Sequence, residues 1–119
     1  MPRWARYPFE IWIVPYRRIS NIFELSENEQ KDLAELMLDA SKSLDKVFDE
    51  PMPYTLAWQL SPKGYENSYH FHVCFQPIRR SKTKLKYLAG VEQITGFFLV
   101  DLPPERSARI LRGEELPDE

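Results

Sequence analysis

Both histidines of the chain, His70 and His72, stand two residues apart, and its single cysteine, Cys74, follows two further on. Alternate side chains of an extended strand share a face. His70, His72, Cys74 and Gln76 would therefore line one face, and Phe71, Val73 and Phe75 the other. Three chemistries suit the polar row. Neighbouring imidazoles joined by a thiolate can ligate one zinc or iron ion, with His70, His72 and Cys74 as the ligand set. An imidazole can instead attack a phosphorus centre and form a covalent intermediate. In the third reading the histidines only hydrogen-bond on a polar sheet face. Spacing alone leaves all three open.

A second group of chemically competent residues follows closely. Arg79, Arg80, Lys82, Lys84 and Lys86 crowd one short stretch, which runs on through Tyr87 and Gly90 to Glu92. A guanidinium can grip phosphate through two parallel hydrogen bonds, and an ammonium attracts it as a point charge. Ser81 and Thr83 offer hydroxyls beside them. The chain as a whole has 16 basic and 18 acidic residues, a formal charge of −2. Such a balance argues against nucleic acid and against a membrane surface, and it favours a phosphorylated small molecule. A solvated basic loop is the equal alternative.

Positioning these groups requires a sheet and something to pack on it. Phe9-Glu-Ile-Trp-Ile-Val-Pro15, Pro53–Leu60 and Tyr69–Gln76 read as strands. The clearest helix spans about 27–48. Ser26 and Glu29 have capping-box spacing, and Leu33, Leu36, Met37, Ala40, Leu44, Val47 and Phe48 recur as one apolar stripe. Lys31, Glu35, Asp39, Lys42 and Lys46 form its solvated face. Segments near 86–91 and 96–100 read as further strands. Residues 103–113 read as a short helix with proline at its start and glycine at its end. Strands and helices do not alternate as parallel units, so an α+β fold with a mainly antiparallel sheet is predicted.

The 119 residues suit one domain, and 43% hydrophobic content is enough for one real core. A lone cysteine cannot close an internal disulfide, which points to a reducing cytoplasm. No apolar run is long enough to span a bilayer, and the opening residues lack the apolar stretch of a signal peptide.

Taken in order, Phe9-Glu10 with Pro15, Leu25-Ser26, Pro53-Tyr54, Trp58, His70-x-His72, Arg80-Ser81 and Lys86-Tyr-Leu-Ala-Gly-Val-Glu92 resemble the C-terminal half of galactose-1-phosphate uridylyltransferases, within the histidine-triad superfamily. That resemblance covers nearly the whole chain and implies a histidine-triad-like domain. It also implies transfer of a uridylyl group between UDP-glucose and galactose 1-phosphate. The family nucleophile lies in a His-Pro-His motif of the other half, and no such motif occurs here. By resemblance Lys86 would hold phosphate, Tyr87 would line the substrate pocket and Glu92 would accept sugar hydroxyls, with Arg80 and Ser81 beside them. His70 and His72 match a histidine pair that holds a metal in some members, but Gln59 stands where those members have a third histidine. His72 also sits near the position that is nucleophilic in the other half. The chain is accordingly read as the sugar-phosphate-binding half of the enzyme, with a homodimer or a separate N-terminal-half chain as partner. A stand-alone nucleotide hydrolase or transferase using His72, or a non-catalytic binding subunit or remnant, are the alternatives. The leading reading expects the basic loop and Glu92 to fold back beside the two imidazoles.

Overall fold

The computed structural model describes residues 1–118. Three strands, β1 (Ile11–Ile13), β2 (Tyr54–Gln59) and β3 (His72–Pro77), form one antiparallel sheet in the order β1-β3-β2. Ile11 pairs with Phe75, Trp12 with Cys74 and Ile13 with Val73, while Leu56 pairs with Phe75 and Gln59 with His72. This register puts Phe71, Val73 and Phe75, all buried, on one side of the sheet.

Against that side lies α1 (Glu27–Phe48), the element read most directly from the sequence. Its start is fixed by the reciprocal bonds of a capping box: Ser26 Oγ accepts from the Glu29 amide at 3.2 Å, and Glu29 Oε2 accepts from the Ser26 amide at 2.8 Å. It stops at Asp49, which adopts left-handed backbone at φ 54. Ala40, Leu44, Val47 and Phe48 are its buried residues, and they pack with Phe9, Phe71, Val73 and Phe75 as the core. Leu33 and Met37 join that core from its margin, as the stripe predicts. Leu36, counted in the same stripe, instead stays half exposed. It faces a groove with Val14 and Tyr16, at the side of the helix rather than beneath it.

The C-terminal region departs further from expectation. Residues 86–91 and 96–100 are not strands. Gly90–Thr95 forms a short helix, α2, ended by Gly96 at φ 71, and sheet-like pairing is limited to an isolated bridge between Arg79 and Leu85. The cause is a buried lysine, described below, which ties residues 86, 92, 99 and 101 into one knot and bends both segments away from the sheet. The final helix, α3 (Pro104–Leu111), begins at proline and packs on α1 through buried Ile110. A one-turn 3-10 helix at Ile22–Glu24, with Asn21 Oδ1 accepting from the Phe23 amide, escaped the sequence reading. Among the described residues no helix is long and apolar enough to cross a membrane.

Candidate functional site

The sheet face away from α1 is polar, and residues preceding β1 fold over it as a strap. Glu10 organises this region. Its side chain is almost wholly buried, and it accepts from the amides of Arg6 at 2.9 Å and Tyr7 at 3.2 Å, and from the Trp12 indole at 2.6 Å. The Cys74 thiol donates to the same carboxylate at 3.7 Å. Phe9, directly before it, is fully buried at φ 61. For a residue with a β-carbon this left-handed backbone costs on the order of 1–2 kcal/mol, and it persists only where the surroundings enforce it. Here Phe9 is locked edge-on against Phe48 on one side while Glu10 is locked by its donors on the other.

Trp12, held by Glu10, lies flat on the His72 imidazole with ring centres 4.4 Å apart, and Trp4 meets Trp12 edge-on at 5.9 Å. His72 Nδ1–H donates to the His70 carbonyl at 3.0 Å, which fixes the tautomer, and among the described residues Nε2 has no hydrogen-bond partner. His70 faces elsewhere: its Nε2–H donates to the Pro15 carbonyl at 2.8 Å. Trp4, Arg6, Trp12, Gln59, His72 and Gln76, with Glu10 and Cys74 at the base, enclose a concavity of about 310 Å³.

This geometry bears on the expected metal set of His70, His72 and Cys74. His70 and His72 each donate one ring N–H to a different backbone carbonyl, Pro15 and His70 respectively. Burial pushes the Cys74 thiol up to about 12, and the neighbouring Glu10 charge pushes it the same way. Among the described residues no three His, Cys, Asp or Glu side chains are grouped to hold an ion.

The basic segment folds into a separate cluster. Lys86 Nζ donates to the Leu99 carbonyl at 2.6 Å and stands 3.3 Å from both Glu92 Oε2 and Asp101 Oδ2. The side chains of Lys86 and Glu92 are each only 2% exposed. Glu92 also accepts from the amides of Ala89 at 2.9 Å and Leu99 at 3.1 Å. The Ala89 amide foremost, with the Leu99 amide and Lys86 adding to it, holds its carboxyl below the usual range. Arg80 pairs with Asp101 at 3.2 Å, Tyr87 projects into solvent at 80% exposure, and Ser81 Oγ is buried without a partner among the described residues.

Of the residues singled out from sequence, the structure thus joins Lys86, Glu92 and Arg80 in one knot, and His72 with Cys74 in another. It does not bring the two together in one cavity. Arg6 and Tyr7 of the strap lie between them: the Arg6 guanidinium covers Phe98 at 4.9 Å and the Lys86 ammonium lies 5.9 Å from the Tyr7 ring. The expected fold-back beside the imidazoles fails because Lys86, once buried, needs anionic partners close by, and Glu92 and Asp101 supply them. Sequence reasoning missed Arg6, Glu10, Trp12 and Asp101. The alternation of β1, which aims Glu10 and Trp12 to one side, was the available signal.

Known proteins share this outline. A model of the family described as galactose-1-phosphate uridyl transferase, C-terminal domain, matches residues 1–119. The chain belongs to that family. It is 37% identical to a galactose-1-phosphate uridylyltransferase of Thermotoga maritima over 119 residues, covering 98% of this chain and 37% of that protein. The corresponding protein of Rattus norvegicus is 31% identical, with 94% of this chain and 31% of the relative covered. Among solved structures, a uridylyltransferase superposes with a TM-score of 0.86 at 32% identity over 95% of this chain and 36% of the other. An ADP-glucose phosphorylase from Arabidopsis thaliana with bound ADP-glucose gives 0.75 at 25% identity, over 97% and 36%. The chain therefore spans about a third of the length of the relatives it matches.

Proposed function

We propose that residues 1–119 form the sugar-phosphate-binding half of a UDP-glucose–hexose-1-phosphate uridylyltransferase. The observation that carries this reading is the match of every residue to the C-terminal domain of that family, in a chain whose sequence contains no His-Pro-His nucleophile. In the proposal a second segment or chain supplies that nucleophile, and this half positions hexose 1-phosphate or UDP-hexose. Lys86 and Glu92 take a supporting part, because each is already committed within the chain. Together with Arg80 they hold the 86–92 segment so that Tyr87 stands outward for contact with the sugar. Partners are a second copy or the nucleophile-bearing half, and the buried thiol suits a reducing cytoplasm. Mixing this chain with a chain bearing the His-Pro-His half tests the reading. Uridylyl transfer from UDP-glucose to galactose 1-phosphate should appear only in the mixture; an inactive mixture of two folded partners refutes it.

One observation favours a second reading. His72 offers an Nε2 lone pair at a concavity, with Nδ1–H anchored to a carbonyl, as a nucleophilic imidazole requires. A nucleotide hydrolase activity of the isolated chain that disappears in His72→Ala would replace the first reading with this one.

A further inference from the structure

We infer that Asp101 is a positioning residue of the sugar site: its carboxylate spans Arg80 and Lys86 and sets the direction in which Tyr87 leaves the fold. The inference rests on the proposed function above and adds to it a residue that acts only through its neighbours. The two carboxylate oxygens are divided between two cations. Oδ1 stands 3.2 Å from Arg80 Nη1, and Oδ2 stands 3.3 Å from Lys86 Nζ. Those cations sit on the two arms of one tight turn, in which the Arg80 amide donates to the Lys84 carbonyl and Arg79 bridges Leu85. Asp101 arrives from beyond α2 and holds both arms at once. A carboxylate shared in this way fixes the separation of the arms, which neither cation fixes alone.

Its setting separates Asp101 from Glu92. Glu92 is buried and accepts from the Ala89 and Leu99 amides besides Lys86, so α2 itself depends on it. Asp101 keeps 31% of its side-chain surface in solvent, where water can stand in for it. The Lys86 ammonium has three N–H donors, and the Leu99 carbonyl, Glu92 and Asp101 surround it. Two of those three partners remain when Asp101 is lost, so the fold survives while the grip on the Arg80 arm does not. Lys86 is tied a second time through its amide, which donates to the Ile78 carbonyl. Tyr87 follows directly, and its exposed ring takes its direction from the peptide that Lys86 fixes. A small turn at Lys86 therefore reaches the Tyr87 hydroxyl enlarged by the length of that side chain.

The test is Asp101→Asn, read in two ways. Asparagine keeps an oxygen for Lys86 but turns a donor group on Arg80, so it opens the clamp and spares the buried ammonium. In the mixed-chain transfer assay, the KM for galactose 1-phosphate should rise about fivefold with kcat within about twofold of wild type. The urea midpoint should stay close to wild type, because a partly exposed ion pair contributes little to stability. Arg80→Gln should raise KM in the same way, and the double variant should go no further, since both changes open one clamp. In the chain alone, amide exchange at Arg80 and Lys86 should quicken about fivefold, with Val73 and Cys74 of the sheet unchanged. Unchanged KM in Asp101→Asn overturns the inference. So does a fall in the urea midpoint with faster exchange at Val73, the mark of a merely structural residue. A silent wild-type mixture counts against the proposed function instead; the exchange rates then decide alone, and unaltered rates at Arg80 and Lys86 overturn the role of Asp101.

Discussion

Replacing Glu10 by alanine should be among the most damaging single changes outside the hydrophobic core. The wild-type carboxylate satisfies the Arg6 amide at 2.9 Å, the Tyr7 amide at 3.2 Å and the Trp12 indole at 2.6 Å, besides the weaker thiol contact. Hydrogen bonds to a charged group contribute about 1.5–3 kcal/mol each, and a buried donor left without a partner costs about 1–3 kcal/mol. Three such donors would sum to more than the whole effect, because they share one acceptor and the freed strap can turn its amides to water. We expect a net loss of about 3–5 kcal/mol, a large part of the stability of a domain this size. Glu10→Gln should cost roughly half as much, since the retained oxygen serves some donors while the new amide group opposes another. Urea titration followed by tryptophan fluorescence reads both changes, because the indole that loses its partner lies on His72. A Glu10→Ala loss below about 1 kcal/mol would refute the claim that this carboxylate anchors the strap.

Further outcomes follow from other sites. Lys86→Met should strip Glu92 of its cation and lower the urea midpoint, and adding Glu92→Gln in the same chain should recover part of the loss; equal midpoints for all three proteins would exclude a structural pair. Glu29, held down to about 2 from an ordinary 4.5 chiefly by its hydrogen bond to Arg17, contributes stability that is complete above about 4.5. That contribution fades as pH falls toward about 2, so Glu29→Gln should flatten the acid limb of a melting-temperature profile in this window. Cys74, pushed up to about 12, should react with a disulfide reagent at pH 8 only at the rate of unfolding, and promptly in urea. Asp49→Gly, at the left-handed end of α1, should stabilise the chain by about 0.5–1 kcal/mol in the same urea assay.

What the sequence revealed depended on whether a signal was local. The long helix is specified by its own cap and stripe, and it runs over Glu27–Phe48 as Ser26, Glu29 and the apolar stripe imply. Strict alternation likewise identified the buried row Phe71, Val73 and Phe75 with His72, Cys74 and Gln76 opposite, but it misplaced His70, which precedes the start of β3 and turns to the Pro15 carbonyl. Residues 86–101 went astray because their conformation is set by Lys86 reaching residues 92, 99 and 101, contacts that no local propensity encodes. The site was legible to the same extent. His72 was visible as part of a strand, while Arg6 and Glu10 become site residues only when the strap crosses the sheet. Tyr87, conversely, was named by resemblance, and its exposure is what makes a contact role physically open to it.

The order of the strands also sets an order of assembly. Gln59 and His72, paired in the β2–β3 ladder, are 13 positions apart, whereas Cys74 and Glu10, meeting beside the β1 edge, are 64 apart. The nearer pair closes a short loop and the other must wait for a long one, whose entropy cost is greater. Trp12 and the strap should dock after the hairpin, and the three-residue edge strand should be the first to peel away in native fluctuations. Amide exchange at Trp12 faster than at Cys74 would reveal a strap that opens and shuts without melting the core beneath it.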